Sequence, residues 1–200
     1  MTDRYDTAGN PEDEYYPGTS VLINLEDIRD TEGLLERETQ LQLAAYEALF
    51  SSFDESLTPD LPFFYYLHHL TFSPLFVWAG RPRTVGIAKG GTPFCPPQNI
   101  DSMMSSLFTE LGREQWLAGL DLDSFIERAA YYICEINAVH PFREGNGRAI
   151  RFYIDVLSAK ARGDIFDWTH ATPDEYLHAC IAGFQQEYKQ MITILKRCAA

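Results

Sequence analysis

The feature that most limits how this chain can fold is a pair of apolar segments joined by a short polar loop. Phe125 to Val139 (FIERAAYYICEINAV) places Phe125, Ile126, Ala129, Ile133, Ile136 and Val139 at spacings of three and four, the stripe of a half-buried helix. Pro141 ends that helix, because the residue ahead of a proline is pushed out of the helical region. Ala149 to Ala159 (AIRFYIDVLSA) is apolar on nearly every side, as expected of a second, deeply buried helix. The stretch between them therefore joins two core helices, with its glycines at the start of the second.

That stretch, His140 to Arg151, reads HPFREGNGRAIR. A helix start offers backbone N–H groups without intrahelical acceptors and a partial positive charge, and glycine lets an anion approach the backbone closely. Gly145, Asn146 and Gly147 can form such an anion nest. Arg148 and Arg151, three apart, project from one helix face and suit two neighbouring phosphates gripped by forked hydrogen bonds. Glu144 would repel a phosphate unless a cation stood between them, and Mg²⁺, which takes one or two carboxylates plus phosphate oxygens, resolves that conflict. His140 is the one base in the loop, and the nearby helix dipole biases it toward the neutral, proton-accepting form. Each piece alone has an ordinary structural explanation. Their order and spacing, and an arginine flanked by Ile150, Phe152, Tyr153 and Ile154, point to an anion.

HPFREGNGRAIR resembles the signature of the Fic family, His-Pro-Phe-any-Asp/Glu-Gly-Asn-Gly-Arg-any-any-Arg, at every fixed position. The resemblance implies an all-α fold, a Fic-type helical bundle with a small β-hairpin flap, and transfer of AMP from ATP to a Tyr, Thr or Ser hydroxyl of a target protein. It implies His140 as general base, Glu144 as magnesium ligand, Gly145, Asn146 and Gly147 as the nest for the α- and β-phosphates, and Arg148 and Arg151 as the grip on the β- and γ-phosphates. FVWAGRPR (Phe76 to Arg83) is similar to the family's segment before the flap, and YPGTSVLIN (Tyr16 to Asn24) to the start of its compact bacterial toxins. A sister group, the Doc toxins, transfers the γ-phosphate instead and carries lysine where this chain has Gly147, so the full Gly-Asn-Gly favours AMP transfer over a Doc-like phosphotransferase. A non-catalytic nucleotide-binding adaptor would be expected to lack His140 or Glu144.

Arg83 to Cys95 (RTVGIAKGGTPFC) alternates Val85 and Ile87 with smaller residues around a Lys-Gly-Gly turn, which reads as a hairpin. By resemblance it is the flap, which docks a target segment as an added strand, with Lys89 and Gly90 as further nucleotide contacts. The family's inhibitory pattern, Ser/Thr-any-any-any-Glu-Gly/Asn, has no full match: Ser51 to Glu55 is followed by Ser56, and Ser106 to Glu110 by Leu111. This resembles members whose inhibitor is a separate small antitoxin protein, so Arg151 is expected to await a partner's glutamate, in a chain that is active alone. For toxins of this type the resemblance implies ATPase subunits of DNA gyrase and topoisomerase IV as targets.

The rest of the sequence bounds these expectations. Two hundred residues without repeats or low-complexity tracts fit an N-terminal acidic segment, residues 1–30, packed on or flanking a Fic domain at 31–200, and the first fourteen residues read as loose. Helices are expected near 31–53, 60–76, 99–117, 122–139, 146–162 and 173–196. The net charge of −13 is concentrated in residues 1–60, which hold fifteen acidic residues against three arginines and read as a solvated face. Such a chain is a poor direct binder of nucleic acid. With neither a secretory signal nor a membrane span, and with Cys95, Cys134, Cys180 and Cys198 unpaired in pattern, a cytoplasmic location is expected. His68, His69, His170 and His178 lack metal-ligand spacing, and His68 and His69 read as core-edge residues.

Overall fold

The computed structural model describes residues 14–54, 56–89 and 91–199, together with the backbone of a strand at Asp6–Ala8. Seven helices carry the described fold: α1 (Thr31–Phe50), α2 (Leu61–Phe72), α3 (Ile100–Arg113), α4 (Leu122–Val139), α5 (Asn146–Arg162), α6 (Pro173–Gly183) and α7 (Lys189–Cys198). Their starts follow from local chemistry. Asp30, Asp60 and Asp121 cap α1, α2 and α4 by accepting backbone N–H bonds from Gly33, Phe63 and Ser124, and Thr172 with Glu175 forms a reciprocal capping box on α6. α5 leaves through Gly163, whose φ of 81° a side chain would resist.

The two helices anticipated from the apolar stripes form the centre of the core. Phe125, Ala129, Ile133 and Ile136 of α4 meet Ile150, Tyr153, Ile154 and Leu157 of α5, all buried, and Phe64 of α2 packs edge-on against Tyr153. The helix expected over 173–196 is instead two helices. The chain turns over Phe184–Tyr188, where Gln186 takes φ 61°. Gly183 lies so close to α4 that a Cβ there would meet the Cys134 Cβ and Sγ at 2.7 Å, so the break lets α6 and α7 each pack on α4.

The hairpin forms at β2 (Gly86–Lys89) and β3 (Thr92–Pro93), pairing Ala88 with Pro93 and Lys89 with Thr92. A third strand, β1 (Asp6–Ala8), lies antiparallel on the other edge of β2, with Thr7 opposite Ile87. Part of the segment read as loose is therefore ordered by backbone pairing, which side-chain periodicity over three residues does not announce. Residues 15–28 are tied to the domain as well. The Asn24 side chain bonds Leu22 and Ile28, while Tyr15 and Leu22 enter a second small core with Phe72, Leu75 and Phe76.

Candidate active site

The loop between α4 and α5 is held from inside. His140 closes α4 in the left-handed conformation (φ 52°), its N–H donating to the Ile136 carbonyl at 2.9 Å. Six residues on, Asn146 folds back: its Oδ1 accepts from the Phe142 N–H and its Nδ2 donates to the Phe142 carbonyl, both at 2.8 Å. The Asn146 side chain is thus committed to closing the loop, and its backbone N–H is what it offers an anion. Gly145 (φ 79°) passes so near α2 that a Cβ would lie 2.6 Å from the Phe72 ring.

Beneath the loop sits His68, fully buried rather than at the core edge. Its ring stacks on Phe142 at 3.8 Å, its Nδ1 accepts from the Gly80 N–H, and its Nε2 donates to the Glu144 carbonyl, each bond at 2.9 Å. A backbone N–H at Nδ1 places the ring proton on Nε2. Burial pushes the imidazole down to about 3. Sequence spacing could not reveal this role, because both partners are backbone groups far along the chain. His69, by contrast, is exposed, with Nδ1 3.2 Å from the Ala79 carbonyl.

This arrangement makes His68 an acid-sensitive support. Its folded pKa is depressed below the unfolded value of about 6.5, so the unfolded chain takes up the proton first as pH falls. The stability it contributes is complete above about pH 6.5 and is lost as pH falls toward 3, by up to about 1.4 kcal/mol per pH unit. His68→Phe strands one N–H and one carbonyl and is expected to lower stability at pH 7 by about 2–4 kcal/mol. Urea unfolding across this pH range should show a shallower acid loss in the variant; an unchanged slope would contradict the assignment.

His140 presents the complementary geometry. Its ring stacks on Phe94 of the hairpin at 3.9 Å, and its Nδ1 lies 3.1 Å from the Asn137 carbonyl. A carbonyl only accepts, so Nδ1 carries the hydrogen and Nε2 the lone pair. Burial chiefly, with the Arg83 and Lys89 charges, pushes the imidazole down to about 3 against the Asn137 bond. The neutral form expected from the helix dipole is present, but desolvation is its main cause. Arg83, buried, fixes the surrounding backbone by donating to the carbonyls of His140 (2.8 Å), Val139 (3.2 Å), Val85 (2.8 Å) and Cys95 (2.5 Å). The sequence offered Arg83 only as part of a resemblance.

At the start of α5 the N–H groups of Asn146, Gly147 and Arg148 have no acceptor within the helix. A Cβ on Gly147 would meet nothing within 4 Å, so neither neighbours nor backbone geometry demand glycine there. The two arginines part company. Arg148 lies 4.8 Å over the Phe72 ring and pairs with Glu38 of α1 at 2.7 Å. Arg151 rests over Tyr176 (5.0 Å) and Trp168 (5.9 Å), without a hydrogen bond or ion pair among the described residues. It lines a cavity of about 430 Å³ with Thr39, Gln42 and Tyr46 of α1.

Glu144 accepts the Gly145 N–H at 2.8 Å through Oε1, which lies 3.7 Å from Arg148. No group of three His, Cys, Asp or Glu among the described residues could cage a metal. One half-exposed carboxylate beside an anion nest still fits Mg²⁺, which binds through one or two carboxylates plus substrate phosphates. Lys89 stands at the end of β2, close enough for its charge to act on His140; Gly90 lies outside the described residues.

The Fic/DOC family pattern matches residues 58–158, which span α2 through most of α5. The protein adenylyltransferase VbhT of Bartonella schoenbuchensis is 34% identical over 97% of this chain, which spans 40% of VbhT. The probable protein adenylyltransferase y4lH of Sinorhizobium fredii is 33% identical, with 97% of this chain and 98% of y4lH covered. The chain belongs to the Fic/DOC family. Among solved structures, the Fic domain of Bep8 from Bartonella sp. 1-1C superposes with a TM-score of 0.84 at 23% identity, covering 94% of each chain. BepC from Bartonella tribocorum, with AMPPNP bound, superposes at 0.81 and 25% identity, covering 93% of this chain and 95% of BepC.

Within this Fic fold, Arg143 occupies the signature's variable position and is also buried. It donates to Glu14 (2.8 Å) and the Tyr15 hydroxyl (2.6 Å), clamping the N-terminal segment to the signature loop. Glu14 and Glu38 therefore correct the reading of the acidic N-terminal region as a solvated face: Glu38 is buried, and the two hold Arg143 of the loop and Arg148 of α5. Charge counting cannot separate such residues from surface carboxylates.

Proposed function

We propose that this chain is a protein adenylyltransferase, moving AMP from ATP to a Tyr, Thr or Ser hydroxyl of a target protein. The observation that carries this reading is a buried, neutral His140 with its lone pair on Nε2, one short loop away from an unsatisfied helix start. It is supported by relatives named protein adenylyltransferases and by the AMPPNP bound to BepC.

In the proposed reaction, His140 Nε2 takes the proton from the target hydroxyl as that oxygen attacks the α-phosphorus in line. The bond from the α-phosphorus to the bridging oxygen breaks, and pyrophosphate leaves. The N–H groups at the start of α5 hold the phosphate oxygens; one such preorganised donor is worth roughly 3–4 kcal/mol. Glu144 is the carboxylate that would hold Mg²⁺, which when bound neutralises charge on the phosphates. The outer edge of β3 is short and contains Pro93, which has no N–H, so a target strand would add to β2, where it would displace β1. Incubating the protein with ATP and bacterial lysate should release pyrophosphate in proportion to protein modification; ADP as the matching product would refute the reading.

Because His140 already stands neutral, the rate should not follow an imidazole of ordinary pKa. Between pH 7 and pH 5, kcat/KM is expected to change less than about three-fold from this group, the acid limb falling nearer its depressed pKa. An acid limb centred at about 6.5 that moves when His140 is altered would contradict the assigned burial.

We further propose a toxin role, with Arg151 receiving a glutamate from a separate antitoxin protein. Arg151 makes no hydrogen bond or ion pair among the described residues, and only the charge of Asp155, which lines the same cavity, acts on it, which supports this role. The isolated chain is then expected to modify its target and to slow bacterial growth when expressed alone. Silence of the isolated chain beside an active complex would oppose this role.

A further inference from the structure

Helix α1 brings one buried carboxylate to the phosphate site. Glu32, Glu36 and Glu47 of α1 are exposed, whereas Glu38 is 6% exposed. Its Oε2 lies 2.7 Å from Nη1 of Arg148, its one hydrogen-bond partner among the described residues. Burial, with a smaller push from the Glu144 charge, raises the Glu38 carboxyl above its ordinary value, while Arg148 opposes the rise. A buried ion pair is a poor way to gain stability, since desolvating two charges offsets most of their attraction.

The neighbours of Arg148 suggest what the pair is for. Nη2 of Arg148 lies 3.7 Å from Glu144 Oε1, too far for a hydrogen bond, so two carboxylates face one guanidinium and the more distant one belongs to the signature. Were Glu38 neutral, Arg148 would have Glu144 as its nearest charge, four residues back and within a side-chain rotation. Arg148 would then neutralise the carboxylate that faces the ligand, and its own donors would turn from the phosphates.

We propose that Glu38 is a positioning residue of the nucleotide site, holding Arg148 by Nη1 so that its remaining donors, and the Glu144 carboxylate, stay available to the ligand. This inference rests on the adenylyl-transfer reading and adds α1 to the nucleotide-binding machinery. The helix that lines the cavity below Arg151 with Thr39, Gln42 and Tyr46 also sets the posture of Arg148.

A double-mutant cycle tests it. AMPPNP with Mg²⁺ is titrated calorimetrically into wild type, Glu38→Gln, Arg148→Gln and the double variant, with thermal unfolding of each. Glu38→Gln keeps size and an acceptor while removing the charge, and should weaken binding on the order of ten-fold. In the Arg148→Gln background the same change should alter affinity less than about two-fold. Glu38→Asp, which keeps the charge on a shorter arm, should recover part of the loss, and it remains informative if Glu38→Gln unfolds. An equal loss in both backgrounds would overturn the proposal, as would tighter binding by Glu38→Gln, which would make Glu38 a competitor of the phosphate. Failure of wild type to bind the nucleotide at all would instead bring down the adenylyl-transfer reading beneath it.

Discussion

Replacing His140 with alanine is expected to reduce transfer of AMP on the order of 10³-fold or more, within or beyond the usual worth of one positioned general base. The magnitude follows from the site. The imidazole is desolvated, its Nδ1–H is fixed by the Asn137 carbonyl, and its ring is held flat against Phe94, so Nε2 needs no reorganisation to accept a proton. Its loop neighbours have other tasks: Arg143 bonds Glu14 and Tyr15, and Glu144 bonds the Gly145 N–H. Nucleotide affinity should change only a few-fold, because the N–H groups and arginines proposed to hold phosphate lie on α5. Steady-state transfer and equilibrium titration of the same variant separate the two effects. A variant with near wild-type kcat would remove His140 from the mechanism.

The second large effect separates two glycines that the signature treats alike. Gly145→Ala forces a side chain into a left-handed conformation, at about 1–2 kcal/mol, and into the Phe72 ring, where overpacking typically costs about 1–3 kcal/mol. A loss of stability of about 2–5 kcal/mol is expected, with transfer falling because the loop over His68 is displaced. Gly147→Ala meets open space in a helical position, so stability should hold or rise by up to about 1 kcal/mol. Nucleotide affinity should nonetheless fall by about ten-fold or more, because the added methyl occupies the approach of a phosphate to the α5 start. Urea unfolding and nucleotide titration of both variants check the contrast. Equal destabilisation by the two, or unchanged affinity in Gly147→Ala, would contradict this division of roles.

What the sequence made legible here is local. Helices α4 and α5 could be read because apolar spacing, Pro141 and the glycines sit within one stretch of chain, and the structure returns both with the expected bounds. The hairpin at 86–93 was legible for the same reason, from alternation around a glycine turn. What supports the loop was not. His68 is recognised only by the backbone groups it bridges, at Gly80 and Glu144, and Glu38 only by an arginine 110 residues away. Arg83 satisfies four carbonyls, a role that no residue pattern encodes. Strand β1 depends on an edge offered by β2, and the break between α6 and α7 on the close approach of Gly183 to Cys134. Local rules therefore revealed the chemistry-bearing loop, while its preorganisation is a property of the packed molecule.

In the proposed reaction the α-phosphorus is the atom attacked. The most direct test of this is to incubate the purified protein with bacterial lysate and ATP labelled at either the α or the γ position, and to follow label into protein. The account predicts label on a target protein from α-labelled ATP alone, absent with His140→Ala. Label from γ-labelled ATP alone would contradict it.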